Sequence, residues 1–323
     1  MLTPHVADAL RQSPYRIVLT GAGGWLGRAT LDLIHDALGG DFHRRISCFG
    51  SQPRALAVSG NDFIEQRPLE DLASLPPQPS LVLHMAFLTK DRAEQMDEVE
   101  YCAANRAIRH IVLNALDAIG TEGVFVASSG AAGFAQDVNA SAAMRLYGFL
   151  KCEDEEAFAA WADEQMKRAV LARIFNLSGP YINKQRSYAL SSFILDALAE
   201  GPIMVKAPHD VVRGYVAIRE LMSLVFALLL DGENGTIRFS SGGEPMEVGE
   251  VAAVIAKALG GRAVQRPARI AGKADVYVGD SGPYRALLDS HKIDAVPFME
   301  QIGETIDFLK AESNLGARQE SYA

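Results

Sequence analysis

The stretch that decides the fold is Thr20-Gly21-Ala22-Gly23-Gly24-Trp25-Leu26-Gly27. It follows Arg16-Ile17-Val18-Leu19-Thr20, a short β-rich run, and precedes Leu26, Thr30, Leu33 and Ile34 at helical spacing. Gly21, Gly24 and Gly27 therefore sit in a strand–loop–helix setting with the spacing G-x-x-G-x-x-G. One glycine permits a tight turn, another lets the backbone approach a pyrophosphate, and the last lets helix and strand pack closely. The helix start, at Trp25 and Leu26, would present free N–H groups to the anion. The loop thus reads as a dinucleotide-phosphate cradle.

Outward from the loop the same alternation continues. Ile46–Phe49, Leu81–Met85, Val124–Ala127 and Val170–Ile174 are short apolar runs. Between them lie segments of helical period, a long one near Glu98–Ala118 and another from about Leu146. Near-continuous apolar strands separated by helices predict an α/β, Rossmann-type, doubly wound parallel sheet covered on both faces. Beyond Gly179-Pro180 the pattern loosens. The expected organisation is a dinucleotide-binding domain over residues 1–177, with 213–240 returning to it. Residues 178–323 then supply mainly a smaller C-terminal substrate lobe.

Bulk properties narrow the function. The chain has 323 residues, 49% of them apolar, enough for a large core. A net charge of -9 disfavours a nucleic-acid surface, which needs a basic face. Cys48, Cys102 and Cys152 lie far apart, giving no zinc motif and no disulfide framework, so a reducing cytoplasm is expected and no metal. Met1–Gln12 lacks the pattern of a secretory signal. The apolar run Leu221–Leu230 is too short to span a bilayer and reads as a buried helix, so no membrane partner is expected.

The end of the second strand bears on cofactor choice. An enzyme selecting NAD usually places Asp or Glu there to hold the ribose 2′-OH. Here stand Gly50, Ser51 and then Arg54. A small residue, a hydroxyl and a guanidinium suit a 2′-phosphate, which favours NADP(H) over NAD(H).

Tyr147-Gly148-Phe149-Leu150-Lys151 gives Y-x-x-x-K, one helical turn apart and so on one face. A lysine ammonium near a phenol favours phenolate, which can exchange a proton with a substrate hydroxyl or carbonyl. Ser128 and Ser129 end the preceding strand. A serine there could hydrogen-bond the reacting oxygen, and Ser129 is the better placed of the two.

In order along the chain, these motifs resemble the extended short-chain dehydrogenase/reductase family, especially its nucleotide-sugar epimerase/dehydratase branch. The segments carrying the resemblance are Thr20–Gly27, His84-Met85-Ala86, Asn105, Ser128-Ser129, Tyr147–Lys151 with Glu155, Arg173–Pro180 and Arg213-Gly214-Tyr215-Val216. The resemblance implies Ser129, Tyr147 and Lys151 as catalytic residues. It implies Gly21, Gly24, Trp25, Leu26, Gly27, Ala86, Asn105, Tyr147 and Lys151 at the cofactor. Ser129, Asn176 and Arg213 would face a substrate, which the resemblance implies is a nucleotide-activated sugar. It also implies a homodimer, paired through the helices carrying Asn105 and Tyr147.

Departures qualify the reaction. The family's dehydratases resemble one another in an Asp-Glu pair just after the catalytic hydroxyl, needed to remove water across a carbon–carbon bond. Here Gly130 and Ala131 stand there, which disfavours dehydration. Ala217 and Arg219 also replace residues that are often His and Asp. The expected function is hydride transfer at a carbinol or keto carbon, as an epimerase or reductase. The alternatives are an NADPH-dependent reductase of a non-sugar carbonyl, and a dinucleotide-sensing protein without turnover. His84, ending a buried strand, reads as a structural or cofactor-adjacent residue.

Overall fold

The computed structural model describes residues 1–320. The chain begins with α1 (Pro4–Gln12), whose first turn holds a proline, a position where the missing N–H costs nothing. There follow β1 (Arg16–Thr20), α2 (Trp25–Leu38), the short α3 (Phe42–Arg45) and β2 (Ile46–Gly50). A hairpin comes next, β3 (Arg54–Val58) and β4 (Asp62–Pro68). Then come β5 (Ser80–His84), α4 (Lys90–Ala93), α5 (Glu98–Leu116), β6 (Thr121–Ser129), α6 (Ala142–Gln165) and β7 (Arg168–Ile174). The remainder is β8 (Asn176–Ser178), α7 (Ala189–Leu198), β9 (Ile203–Met204), β10 (Val211–Ala217), α8 (Ile218–Leu230) and β11 (Gly235–Ser240). These are followed by β12 (Pro245–Glu247), α9 (Val248–Ala258), β13 (Val264–Gln265), β14 (Asp275–Tyr277), α10 (Ser281–Ser290) and α11 (Phe298–Glu320).

The main sheet runs β11-β7-β6-β5-β1-β2-β4-β3. Every neighbouring pair is parallel except β3 on β4, which is antiparallel. This is the predicted Rossmann-type sheet. Each β1 residue is buried, because both faces are covered. Ile17 and Leu19 enter the core under α1, α2 and α8, whereas Val18 enters the core under α5 and α6. The chain steps from β1 through β2 to β4, then crosses to the other side of β1 as β5. The crevice beyond the carboxyl ends of β1 and β5 is therefore the switch point, where doubly wound sheets bind ligands.

A smaller sheet, β12-β10-β14 with β8 also on β10, stands over that end. It shares a separate core with α7, α9 and α11, including Ile194, Val251, Ile255 and Ile302. The return to the main sheet runs through α8 and β11, while residues 211–217 themselves stay in the smaller sheet as β10. Trp25 joins the two parts, its indole N–H donating to the Pro180 carbonyl at 2.8 Å. Among the described residues no helix is long and apolar enough to cross a membrane.

Candidate active site

The glycine loop is shaped by backbone crowding. Gly21 leaves β1 with φ +74°, and a Cβ there would lie 2.7 Å from the Ala86 nitrogen. Only glycine fits that close approach of the two strand ends. At Gly27 a Cβ would fall 2.3 Å from the Gly21 carbonyl oxygen. Gly24 caps α2 and offers no side chain to its first amides. The start of α2 thus has no side-chain cap and is left open to an anion. The Trp25 side chain is engaged with Pro180, so its contribution to a phosphate would come from the backbone.

The segment after β2 turns back on the loop. Gln66 donates to the Gln52 carbonyl at 2.7 Å and fixes the turn that carries the exposed Ser51. Arg54 begins β3 and reaches Gly23, where a Cβ would lie only 1.2 Å from Arg54 Nη2. The guanidinium therefore rests on the glycine loop itself. No carboxylate stands between Gly50 and Arg54. A five-donor cation on the loop suits an anionic group on the adenosine ribose.

Ser129 ends β6, and its hydroxyl accepts from the Ala131 N–H at 3.2 Å. Tyr147 and Lys151 lie on α6, which Ser141 caps by accepting from the Met144 N–H at 3.2 Å. Lys151 is buried; its ammonium donates to the Ala127 carbonyl at 2.7 Å and lies 3.7 Å from the Phe87 ring centre. The Tyr147 ring centre is 6.0 Å from the same ammonium. Burial lowers the Lys151 pKa to about 8, against the pull of Asp154 and Glu155. Burial raises the Tyr147 phenol above its ordinary value, while the adjacent Ser129 hydroxyl acts in the opposite direction. The three residues converge at the carboxyl end of β6, beside the switch-point crevice. Ser128 points elsewhere, bonded to Glu155, which also holds Arg173 at 2.8 Å.

The remaining expected residues act differently from one another. Ala86 lies against Gly21, at the crevice. Asn105 is buried, accepts from the Leu88 N–H at 2.8 Å and donates to the Tyr101 carbonyl at 3.2 Å. Its amide is thus occupied in holding the loop after β5, and it would act on a cofactor through that loop. Asn176 donates to the Gly214 and Tyr277 carbonyls, each at 3.2 Å. Arg213 pairs with Asp275 at 2.7 Å and donates to the Asp275 carbonyl at 2.9 Å. Both residues therefore fix β14 beside the site.

That strand carries a residue that sequence reasoning missed. The Tyr277 hydroxyl lies 3.3 Å from Ser129 Oγ, and its ring centre lies 4.8 Å from that of Phe175. The segment around Tyr277 offers no periodic signal, and its partner stands 148 residues earlier. His84 sits in the strand beneath, its Nδ1 2.9 Å from Thr20 Oγ1, and burial lowers its pKa to about 3. It is a neutral structural residue. Among the described residues no group of His, Cys, Asp or Glu is placed to hold a metal ion.

A doubly wound parallel sheet with this loop and a Ser–Tyr–Lys set defines an extended short-chain dehydrogenase/reductase. The chain belongs to the NAD dependent epimerase/dehydratase family, whose profile matches residues 17–242. No curated protein matches it in sequence. Among solved structures it is similar to an epimerase from Methanothermobacter thermautotrophicus, with TM-score 0.72, 17% identity and 97% of each chain covered. It is similar to the UDP-N-acetylglucosamine 4-epimerase from Bacillus cereus, with TM-score 0.68, 18% identity, and 91% of this chain and 96% of that one covered. It also resembles the dTDP-glucose 4,6-dehydratase DesIV from Streptomyces venezuelae, with TM-score 0.71, 16% identity, and 93% and 98% covered. At these identities the likeness is one of fold.

Proposed function

We propose that this protein is an NAD(P)-dependent oxidoreductase or epimerase that transfers hydride at a carbinol or keto carbon of a nucleotide-activated sugar, with NADP(H) favoured. The observation that carries the reading is the convergence of Ser129, Tyr147 and Lys151 beside the glycine crevice. Gly21, Gly24, Gly27 and the first amides of α2 would hold a dinucleotide pyrophosphate, with Ser51 and Arg54 on a 2′-phosphate. Bound there, the dinucleotide supplies the acceptor or donor of hydride. Tyr147 exchanges a proton with the substrate oxygen, and Ser129 hydrogen-bonds that oxygen. Lys151, protonated below about pH 8, keeps a positive charge near the phenol and favours its ionised form. The smaller sheet, held over this crevice by Trp25, would bind the nucleotide end of the substrate.

Gly130 and Ala131 supply no acid–base pair beyond Ser129, which supports simple hydride transfer over dehydration. A homodimer would pair through α5 and α6, whose outer faces expose Val99 and Phe149. Sedimentation of the purified protein at twice the chain mass is the expected result.

The test begins with cofactor. Denatured protein is expected to release NADP+ or NADPH, or the native protein to gain thermal stability from NADPH and not NADH. Arg54→Ser should weaken NADPH binding by about 10–100-fold, the worth of a charge-assisted hydrogen bond, and leave NADH binding within about 3-fold. Tightly held NAD+ at one per chain would instead mark a recycled cofactor, defeat the NADP(H) preference and favour the epimerase.

A further inference from the structure

Tyr277 comes from the smaller sheet, yet its hydroxyl meets the catalytic serine. Three features hold it there. Asn176 binds its carbonyl at 3.2 Å, and β10 pairs with its strand at Arg213. Its ring packs between Phe175, with centres 4.8 Å apart, and Phe134, at 5.9 Å. Phe175 in turn fits because two glycines leave room: a Cβ on Gly130 would lie 2.4 Å from its ring, and one on Gly279 3.0 Å from it. The small residues after Ser129 therefore have a structural counterpart, an aromatic pair that delivers a second tyrosine.

The hydrogen-bond count at Ser129 gives this placement a consequence. A serine hydroxyl has one hydrogen and two lone pairs. The Ala131 N–H fills one lone pair. The Tyr277 hydroxyl lies 3.3 Å from Ser129 Oγ, where either can donate, and the Ala131 N–H also faces the Tyr277 oxygen, leaving the Tyr277 hydrogen free for Ser129. With Tyr277 donating, the second lone pair is filled, and the one serine hydrogen is left for the Tyr147 oxygen or the reacting oxygen.

We propose that Tyr277 is a positioning residue that donates to Ser129 Oγ and thereby commits the single Ser129 hydrogen to the Tyr147 oxygen or, once substrate is bound, to the substrate oxygen. A donated hydrogen bond stabilises phenolate and polarises a carbonyl, so both halves of a proton-coupled hydride transfer gain. This rests on the proposed oxidoreductase function for its kinetic arm only. It also makes closure of the smaller sheet over the crevice a condition for a correctly turned serine.

Tyr277→Phe keeps the ring on Phe175 and removes only the hydroxyl. The readout is the phenolate absorbance of Tyr147 in the purified protein without added cofactor, identified as the signal lost in Tyr147→Phe. Tyr277→Phe should move that titration up by about half to one pH unit, with thermal unfolding unchanged. In a Ser129→Ala background the same change should add no shift. With UDP-glucose or UDP-N-acetylglucosamine as probe, kcat should fall about 3–10-fold with KM within about 2-fold. Equal titrations in the parent and Tyr277→Phe overturn the proposal, as does an undiminished shift in the Ser129→Ala background. So does the absence of any Tyr147-dependent phenolate before the protein unfolds. A parent protein inert toward both sugar nucleotides counts against the proposed substrate, and leaves the titration to decide Tyr277.

Discussion

Lys151 is a buried cation whose charge is held by the Ala127 carbonyl and opposed by desolvation. Its pKa of about 8 places the loss of that charge inside the working range of an enzyme. Below that pH the ammonium favours the Tyr147 phenolate; above it the support is withdrawn. The turnover rate should therefore fall on an alkaline limb near pH 8, and Lys151→Met should remove that limb while lowering kcat by at least about 100-fold. A pH–rate profile of the two proteins checks this, and an unchanged limb in Lys151→Met would assign it to another group. Tyr147→Phe is expected to lose about 100- to 10,000-fold in kcat as well. Its affinity for NADPH, measured by calorimetry, should stay within about 3-fold, because the proposed phosphate cradle is backbone. A fall in both together would mean that Tyr147 holds the site's shape and not the proton.

At the scale of elements, the geometry of the proposed catalytic set depends on how closely α6 approaches the turn after Ser129. Gly148, beside Tyr147, allows that approach: a Cβ there would lie 2.1 Å from the Ala131 carbonyl oxygen. Backbone cannot yield as a flexible side chain can, so Gly148→Ala must push α6 outward. Overpacking of this kind costs about 1–3 kcal/mol, and an ångström of displacement at Tyr147 can cost about 100-fold in rate. Urea unfolding and initial rates should show both losses; full activity with a reduced midpoint would mean the helix slides along the turn and keeps Tyr147 in register. The same elements show what a sequence discloses. The β1 run, the glycine spacing and the first helix were legible because local period and turn chemistry agree there. The helix bearing Tyr147 begins at Ala142, ahead of the expected Leu146, because Ser141 caps it. The β3–β4 hairpin was not foreseen, since Arg54–Val58 is an edge strand with mostly exposed residues and no continuous apolar run. The sequence places Arg54 near the cofactor by its position after β2, while its seat on Gly23 comes from that hairpin. Asn105 and Arg213 carry the expected residue types, yet the structure spends their polar atoms on Leu88, Tyr101 and Asp275. Tyr277 was illegible for a plainer reason: its place beside Ser129 is made by long-range strand pairing, which leaves no local pattern.

For the whole molecule, the two strands that open the crevice are also joined by a group sensitive to acid. Thr20 of β1 and His84 of β5 are partners in register, and the hydroxyl and imidazole lie 2.9 Å apart. The other ring nitrogen, Nε2, is buried without a hydrogen-bond partner. Protonation would place an unpaired charge between the strands, so burial drives the pKa from 6.5 down to about 3, with nearby Lys151 adding to the effect. The unfolded chain takes up this proton as pH falls through 6.5, whereas the folded chain does not until about 3. Stability from this group is therefore complete above pH 6.5 and declines as pH falls through that window, by about 1.4 kcal/mol per unit. Asp154 works in the opposite direction, because burial raises its carboxyl to about 6 and the folded state then binds the extra proton. A comparison of variants separates the two. His84→Gln can still hydrogen-bond Thr20 and takes up no proton. Urea unfolding at pH steps between 7 and 4 should show the parent losing stability faster than His84→Gln as the acid limb is entered. Parallel curves would mean that His84 is charged in the folded protein and that the β1–β5 contact tolerates it.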